Sequence, residues 1–328
     1  MREAVRDDRG FLQALLGDGR PLLIFTGLSL VLAGAFALFL SASGQFLPHD
    51  IEFLGMTAAE LCAVNGCRVV HFMFHDRVAF GGALIAVGML YMWMAEFPLR
   101  HGEAWAWWLF LVSGGVGFGS FLAYLGYGYL DTWHGVATLA LLLVYIAGMS
   151  KTFHLLGQPA SLRSLFTPSL SMPWRSSYGI GRLCLLATSV GMILGGLTIM
   201  TVGMTSVFVP QDLSFMGLQA TDLHAINPRL VPLIAHDRAG FGGGIATCGV
   251  LVFFCVWCGR PSRSLWQALC LAGLVGFATA IGVHPVVGYT NLAHLAPAIM
   301  GAIIFLTGLF LSFKPMYMEG DEGGERNS

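Results

Sequence analysis

Apolar residues in this chain fall in runs of about 20, separated by short polar stretches. A run of that length crosses a hydrocarbon core of roughly 30 Å as a helix. Eight runs qualify, at about 22–43, 72–95, 104–125, 134–153, 183–205, 237–258, 264–284 and 292–313. The predicted fold class is an all-α membrane protein of eight transmembrane helices, arranged as two parallel-repeat four-helix bundles. The expected boundaries are a cytoplasmic N-terminal segment over 1–20, a first bundle over 21–153, a cytoplasmic linker over 154–182, a second bundle over 183–313, and a disordered cytoplasmic tail over 314–328. Pro159, Pro168 and Pro173 mark the linker, and the Gly/Glu-rich tail has too little apolar surface to fold.

Composition supports this reading. Hydrophobic residues make up 56% of the 328 residues and charged residues 11%, against about 25% charged in a soluble domain. Placing the N-terminus inside assigns 13 Lys and Arg to inner segments and four, Arg68, Arg77, Arg229 and Arg238, to outer ones, as the positive-inside rule requires. Both termini are then cytoplasmic. The first run exceeds a signal-peptide core of about 7–15 residues. The net charge of −1 comes with no basic patch, which argues against nucleic acid as a partner.

The chain also repeats itself. Pro48-His49-Asp50, Phe53, Gly55, Asn65, His75-Asp76-Arg77 and Phe80-Gly81-Gly82 are followed by Pro210-Gln211-Asp212, Phe215, Gly217, Asn227, His236-Asp237-Arg238 and Phe241-Gly242-Gly243. Gly128-Tyr129-x-Asp131-x-x-His134 is followed by Gly288-Tyr289-x-Asn291-x-x-His294. So many ordered matches point to a duplicated four-helix unit. With four helices in each, the halves share orientation about an axis along the membrane normal.

Eight of the ten histidines map to the outer side, and two positions recur in both halves. His75 and His236 stand at the outer end of the second helix, His134 and His294 at the start of the fourth. Ionisable residues in a span are costly and usually face a partner inside the bundle. Paired imidazoles on facing helices at one depth suit the axial positions of a haem iron, and the expectation is that each bundle pairs its own two. Arg77 and Arg238 would meet haem propionates. His71, one turn from His75, and Asp131, near His134, widen the first site toward a mixed metal site. Pro232 and Asn291 replace them in the second half, so the halves are not equivalent. The plainer reading makes His-Asp-Arg an interfacial cap, Asp131 and Asn291 helix caps, and the glycines packing residues.

Cys62 and Cys67 are the cysteines of the outer segments; a disulfide between them fits an oxidising compartment, and a redox pair or two free thiols are the alternatives. Thr57-x-x-Glu60 reads as a capping box that starts a short helix there. Cys255-x-x-Cys258 sits at an inner helix end and reads as small apolar packing.

Eight helices in two bundles, each with one histidine on its second helix and one on its fourth, together with a cysteine pair in the first outer loop, resemble the haem A synthase family. The resemblance covers about residues 22–313. It implies a substrate-haem site at His75 and His134, a cofactor-haem site at His236 and His294, and a loop cysteine pair at Cys62 and Cys67. The family's glutamate four residues before the first histidine is His71 here, and Asp76 separates His75 from Arg77. The functional expectation is a haem-binding membrane oxidoreductase or electron-transfer protein carrying haem b or a related haem, with copper or no cofactor as the alternatives. Its partners would be the lipid bilayer and a quinone or other redox partner, in a bacterial plasma membrane. A transporter or channel with an outer His/Asp/Arg site, and a non-catalytic membrane subunit, are the competing classes.

Overall fold

The computed structural model describes residues 10, 16–122, 128–129, 132–156, 160–169 and 174–318. Eight of its helices are long and apolar enough to cross a membrane, and the chain is an integral, multi-pass membrane protein. The N-half holds α1 (Arg20–Ser43), the short α2 (Pro48–Leu54) and α3 (Ala58–Asn65), then α4 (Arg68–Glu96), α5 (Ala104–Leu122) and α6 (Thr132–Thr152). The C-half holds α7 (Ser177–Gly203), the short α8 (Pro210–Met216) and α9 (Ala220–Ile226), then α10 (Leu230–Cys258), α11 (Arg263–Val287) and α12 (Leu292–Phe313). The short helices of both halves lie at one end of the molecule, called here the histidine end.

The spans follow the apolar runs, with differences at their ends. α4 and α10 begin before the expected 72 and 237, so His75 and His236 sit inside helices rather than at their caps. α7 begins at Ser177, within the expected linker. Its Arg182 is buried and donates from Nη2 to Trp257 O at 2.7 Å and from Nε to Val256 O at 3.2 Å. A guanidinium that satisfies the last carbonyls of a neighbouring helix is stable at that depth. The expected linker also carries 3-10 turns at Leu162–Phe166 and, just before it, Phe153–Leu155. Residues 314–318 of the expected disordered tail continue the last helix as a π-helical turn. Pro285 and Pro297 leave α11 and α12 continuous.

The two halves do not form separate four-helix bundles, and this corrects the sequence expectation. α4 and α10 lie side by side at the centre. Their most apolar stretches are 67% and 72% buried, against 22–39% in the other six spans. Each packs against the first span of its own half and the third span of the other: α4 between α1 and α11, α10 between α7 and α5. The glycine pairs allow this exchange. A Cβ on Gly81 would meet Gly34 O of α1 at 2.9 Å, and one on Gly242 would meet Gly196 O of α7 at 2.6 Å. A Cβ on Gly82 would meet Thr279 Cβ of α11 at 2.8 Å, and one on Gly243 would collide with Ser120 of α5. Within each pair, one glycine faces the half's own first span and the next faces the other half. Small residues that permit close backbone approach are a general means of helix association in membranes.

The loops exchange partners as well. Asn65 Nδ2 donates to Met216 O at 2.9 Å, and Asn227 Nδ2 donates to Leu54 O at 2.8 Å. A second apolar core, including Leu54, Leu61, Phe72, Met216, Leu223 and Leu230, seals the histidine end.

Candidate metal centre

His-Asp-Arg occupies three consecutive positions on α4 and again on α10. Successive helical residues point about 100° apart, so each triplet fans out toward three neighbours. Arg77 Nη1 lies 2.8 Å from Asp50 Oδ2 of α2, and its Nε lies 2.8 Å from Asp237 Oδ2 of α10. Reciprocally, Arg238 pairs with Asp212 of α8, and its Nε lies 3.3 Å from Asp76 Oδ2 of α4. Each guanidinium therefore holds one carboxylate from its own half and one from the other. The arginines were expected to meet propionates. Protein carboxylates occupy them instead, because charges buried to this degree need close partners.

Each carboxylate pair also holds a tyrosine. Tyr289 Oη donates to Asp212 Oδ1 at 2.8 Å, and Tyr129 Oη donates to Asp50 Oδ1 at 2.7 Å. Burial and the Asp212 carboxylate push the Tyr289 phenol well above its ordinary range, so it stays protonated and remains a donor. Four aspartates against two arginines, 2 − 4, leave a formal charge of −2 in this buried frame, −1 around each arginine.

On one flank of the frame stand His75 of α4, His284 at the end of α11 and His294 in the first turn of α12. One ring nitrogen from each lies within 4.8 Å of the others. His75 and His284 are each 3% exposed. His75 Nε2 lies 3.1 Å from His284 Nε2. His75 Nδ1 lies 2.9 Å from Asp76 Oδ1, and His284 Nδ1 lies 2.7 Å from Tyr289 O. A carboxylate paired with arginine and a backbone carbonyl can only accept, so both Nδ1 atoms carry the proton. Neutral imidazole has one N–H. The two Nε2 atoms thus present lone pairs to each other, an arrangement that requires a shared cation, either a proton or a metal ion. Nitrogens at 2.0–2.1 Å from one tetrahedral ion stand about 3.4 Å apart, close to the observed separation. Tyr289 covers the group, its ring 4.6 Å from that of His294 and 5.5 Å from that of His75.

The four expected ligands are brought together across the halves rather than within them. His75 lies 5.7 Å, centroid to centroid, from His294, and His236 lies 6.5 Å from His134. The expected within-bundle pairing fails because the third span of each half packs against the second span of the other, while the fourth span, which packs on the first and third spans of its own half, sets its histidine ring near that of the other half's second span. His71 is half-buried on α4 and outside the three-imidazole group. Asp131 lies outside the described residues. Cys62 and Cys67 form the expected disulfide. Asn291 caps α12 through His294 N at 3.0 Å.

Sequence reasoning missed His284 as a member of the three-imidazole group and Asp50, Asp76, Asp212 and Asp237 as its electrostatic setting. The aspartates were visible as marks of the repeat. His284 has no histidine counterpart in the N-half, so a search for recurring positions passes over it. Compared with protein-family models, with curated proteins and with solved structures, the chain matches none.

Proposed function

We propose that this is a membrane-embedded metalloprotein of the oxidoreductase class, with a transition-metal ion held by His75, His284 and His294 at the outer end of a duplicated helical unit. The carrying observation is the convergence of three imidazoles, one ring nitrogen of each within 4.8 Å of the others and His75 Nε2 3.1 Å from His284 Nε2, within a frame of net negative formal charge. Imidazole suits copper, iron, zinc and nickel, and copper or iron supplies one-electron chemistry. Ligating histidines characteristically donate their second nitrogen to a carboxylate or carbonyl, and Asp76 and Tyr289 O fill those roles. Burial keeps bulk water off the ligands, and the aspartates compensate part of the ion's charge.

A porphyrin fits this flank poorly. The rings of Phe72, Phe241, Tyr289, His284 and His294 surround that of His75 with centroids 4.4–6.5 Å away. Among the described residues no flat slot separates the His75 ring from its neighbours, so this flank offers little room for a haem ring. The polar groups also gather at one end, which favours a centre fixed in place over a conduction path.

Metal analysis and the optical spectrum of detergent-purified protein, from cells supplied with copper, iron and haem, test the proposal. About one ion per chain, lost in His284→Ala and kept in His71→Ala, is expected. A metal-free protein that takes up no ion on reconstitution, or a Soret band that disappears with His75, would overturn it.

A further inference from the structure

The three imidazoles of the triad are not held alike. His75 stands inside α4 and His284 in the last turn of α11, both buried. His294 is only half-buried, in the first turn of α12, where Asn291 Oδ1 fixes its backbone N–H at 3.0 Å. What fixes its ring is Tyr289. His284, Tyr289 and His294 follow one another at intervals of five residues. Gly288, with a φ of 80° that glycine adopts readily, turns the chain back as it leaves α11. Tyr289 N then donates to His284 O at 3.0 Å, and Tyr289 O accepts from His284 Nδ1 at 2.7 Å. The turn sets the Tyr289 ring, 1% exposed, against the whole group. Its centroid lies 5.5, 5.6 and 4.6 Å from those of His75, His284 and His294.

The Tyr289 hydroxyl lies between two groups. Asp212 Oδ1 is 2.8 Å away and His294 Nδ1 is 3.3 Å away. A phenol has one proton to give. It goes to Asp212, because a carboxylate paired with Arg238 can only accept. Toward His294 the phenol oxygen can therefore only accept, so His294 Nδ1 carries the proton of that contact. Neutral imidazole has one N–H, and Nε2 of His294 is left with a lone pair.

We infer that Tyr289 is a positioning residue of the metal site: its hydroxyl, backed by Asp212, holds His294 in the tautomer and orientation that present Nε2 to the ion. This role presupposes the ion proposed above at His75, His284 and His294. All three second nitrogens then meet an acceptor: Asp76 behind His75, Tyr289 O behind His284 and Tyr289 Oη behind His294. Such acceptors fix ring orientation at metal sites. A fixed acceptor matters most at His294, since a half-buried ring has water to turn toward.

Cobalt(II) titration of the full-length protein in detergent, read by visible absorption, tests this. Tyr289→Phe keeps the ring and the backbone carbonyl and removes only the hydroxyl. Its cobalt affinity should fall by about 10–100-fold, and the strong visible bands of a tetrahedral ion should lose intensity. Tyr129→Phe, which removes the corresponding tyrosine–aspartate bond of the other flank, should bind as wild type does. In a His294→Ala background, weaker from the start, Tyr289→Phe should make no further difference, because the hydroxyl acts through His294. Wild-type affinity and spectrum in Tyr289→Phe, an equal fall in Tyr129→Phe, or a further fall in the His294→Ala background would each overturn the role of Tyr289 and leave the triad standing. A wild-type protein that binds no cobalt would overturn the metal site itself, and this inference with it.

Discussion

The flank around His75 and the flank around His236 are built from corresponding pieces, yet one encloses its imidazoles and the other leaves one at the surface. Both take a histidine from a central helix and a histidine from the last span of the other half. Both set a Tyr–Asp–Arg chain behind them. The third histidine makes the difference. His284 ends a span that packs along α4 and brings its ring nitrogen within 3.1 Å of His75. His49 rides on the short α2, its ring 5.1 Å from that of His134 between centroids. One framework of corresponding residues therefore encloses its imidazoles on one flank and leaves one exposed on the other, through a single change in where the third histidine comes from.

The largest expected effect strikes the frame shared by both flanks. Arg238→Gln leaves Asp76 and Asp212, 1% and 0% exposed, without their cation. Removing one member of a buried ion pair costs about 3–5 kcal/mol. Thermal unfolding in detergent should show that loss, with Asp212→Asn in the same background recovering part of it. Arg77→Gln should cost less, since its side chain is 13% exposed against 5% for Arg238. Equal losses would mean that the two flanks are equally buried in the membrane.

A second comparison sets Asp76→Asn against Asp237→Asn. Asp76 orients His75 through Nδ1, and loss of such a partner weakens metal binding by about 10–100-fold. The cobalt(II) affinity of the detergent-solubilised protein, followed by visible absorption on titration, should fall by that factor in Asp76→Asn and hold in Asp237→Asn. A bound ion insensitive to Asp76 would show that the triad does not hold it.

The halves differ again in their loops. Cys62–Cys67 staples the end of α3 to the start of α4, whereas α9 has no such bond. Closing so short a loop contributes about 2 kcal/mol by the chain-entropy relation. Cys62→Ser with Cys67→Ser should lower the unfolding temperature accordingly and raise protease cleavage near residue 66, while cleavage near 227 is unchanged.

Much of this was legible in the sequence, and the failures share a cause. Hydrophobic runs report local burial, so the eight spans could be read directly; Thr57-x-x-Glu60 announced the α3 cap, and the Cys62–Cys67 bridge was one of several readings of that pair. The repeat named His75, His134, His236 and His294. What no periodicity reports is which half a span packs against. Gly81-Gly82 could be read as packing, but nothing in the pair says that its two glycines admit α1 and α11, one from each half. His284 belongs to one half only, so it left no mark in the repeat. Arg182 was assigned to an inner loop because the carbonyls of Val256 and Trp257 that hold it lie more than 70 residues away.

The smallest effect separates α3 from α9 by pH. Glu60 accepts from Thr57 N at 2.7 Å and from Thr57 Oγ1 at 2.9 Å, while Thr57 Oγ1 accepts from Glu60 N at 3.2 Å. These bonds, the backbone one first, hold the Glu60 carboxyl below its ordinary 4.5. A carboxyl with a depressed folded value stabilises the fold above its unfolded value and loses that contribution as pH falls through the folded one. Amide exchange at Thr57 and Glu60 should therefore stay slow down to the ordinary carboxylate range and quicken below it. In α9, Asp222 Oδ2 accepts from Gln219 N at 2.7 Å without a hydroxyl to complete the box. Gln219 should accordingly exchange faster than Thr57 at neutral pH. Equal exchange at the two caps would show that the hydroxyl of Thr57 adds nothing to its helix.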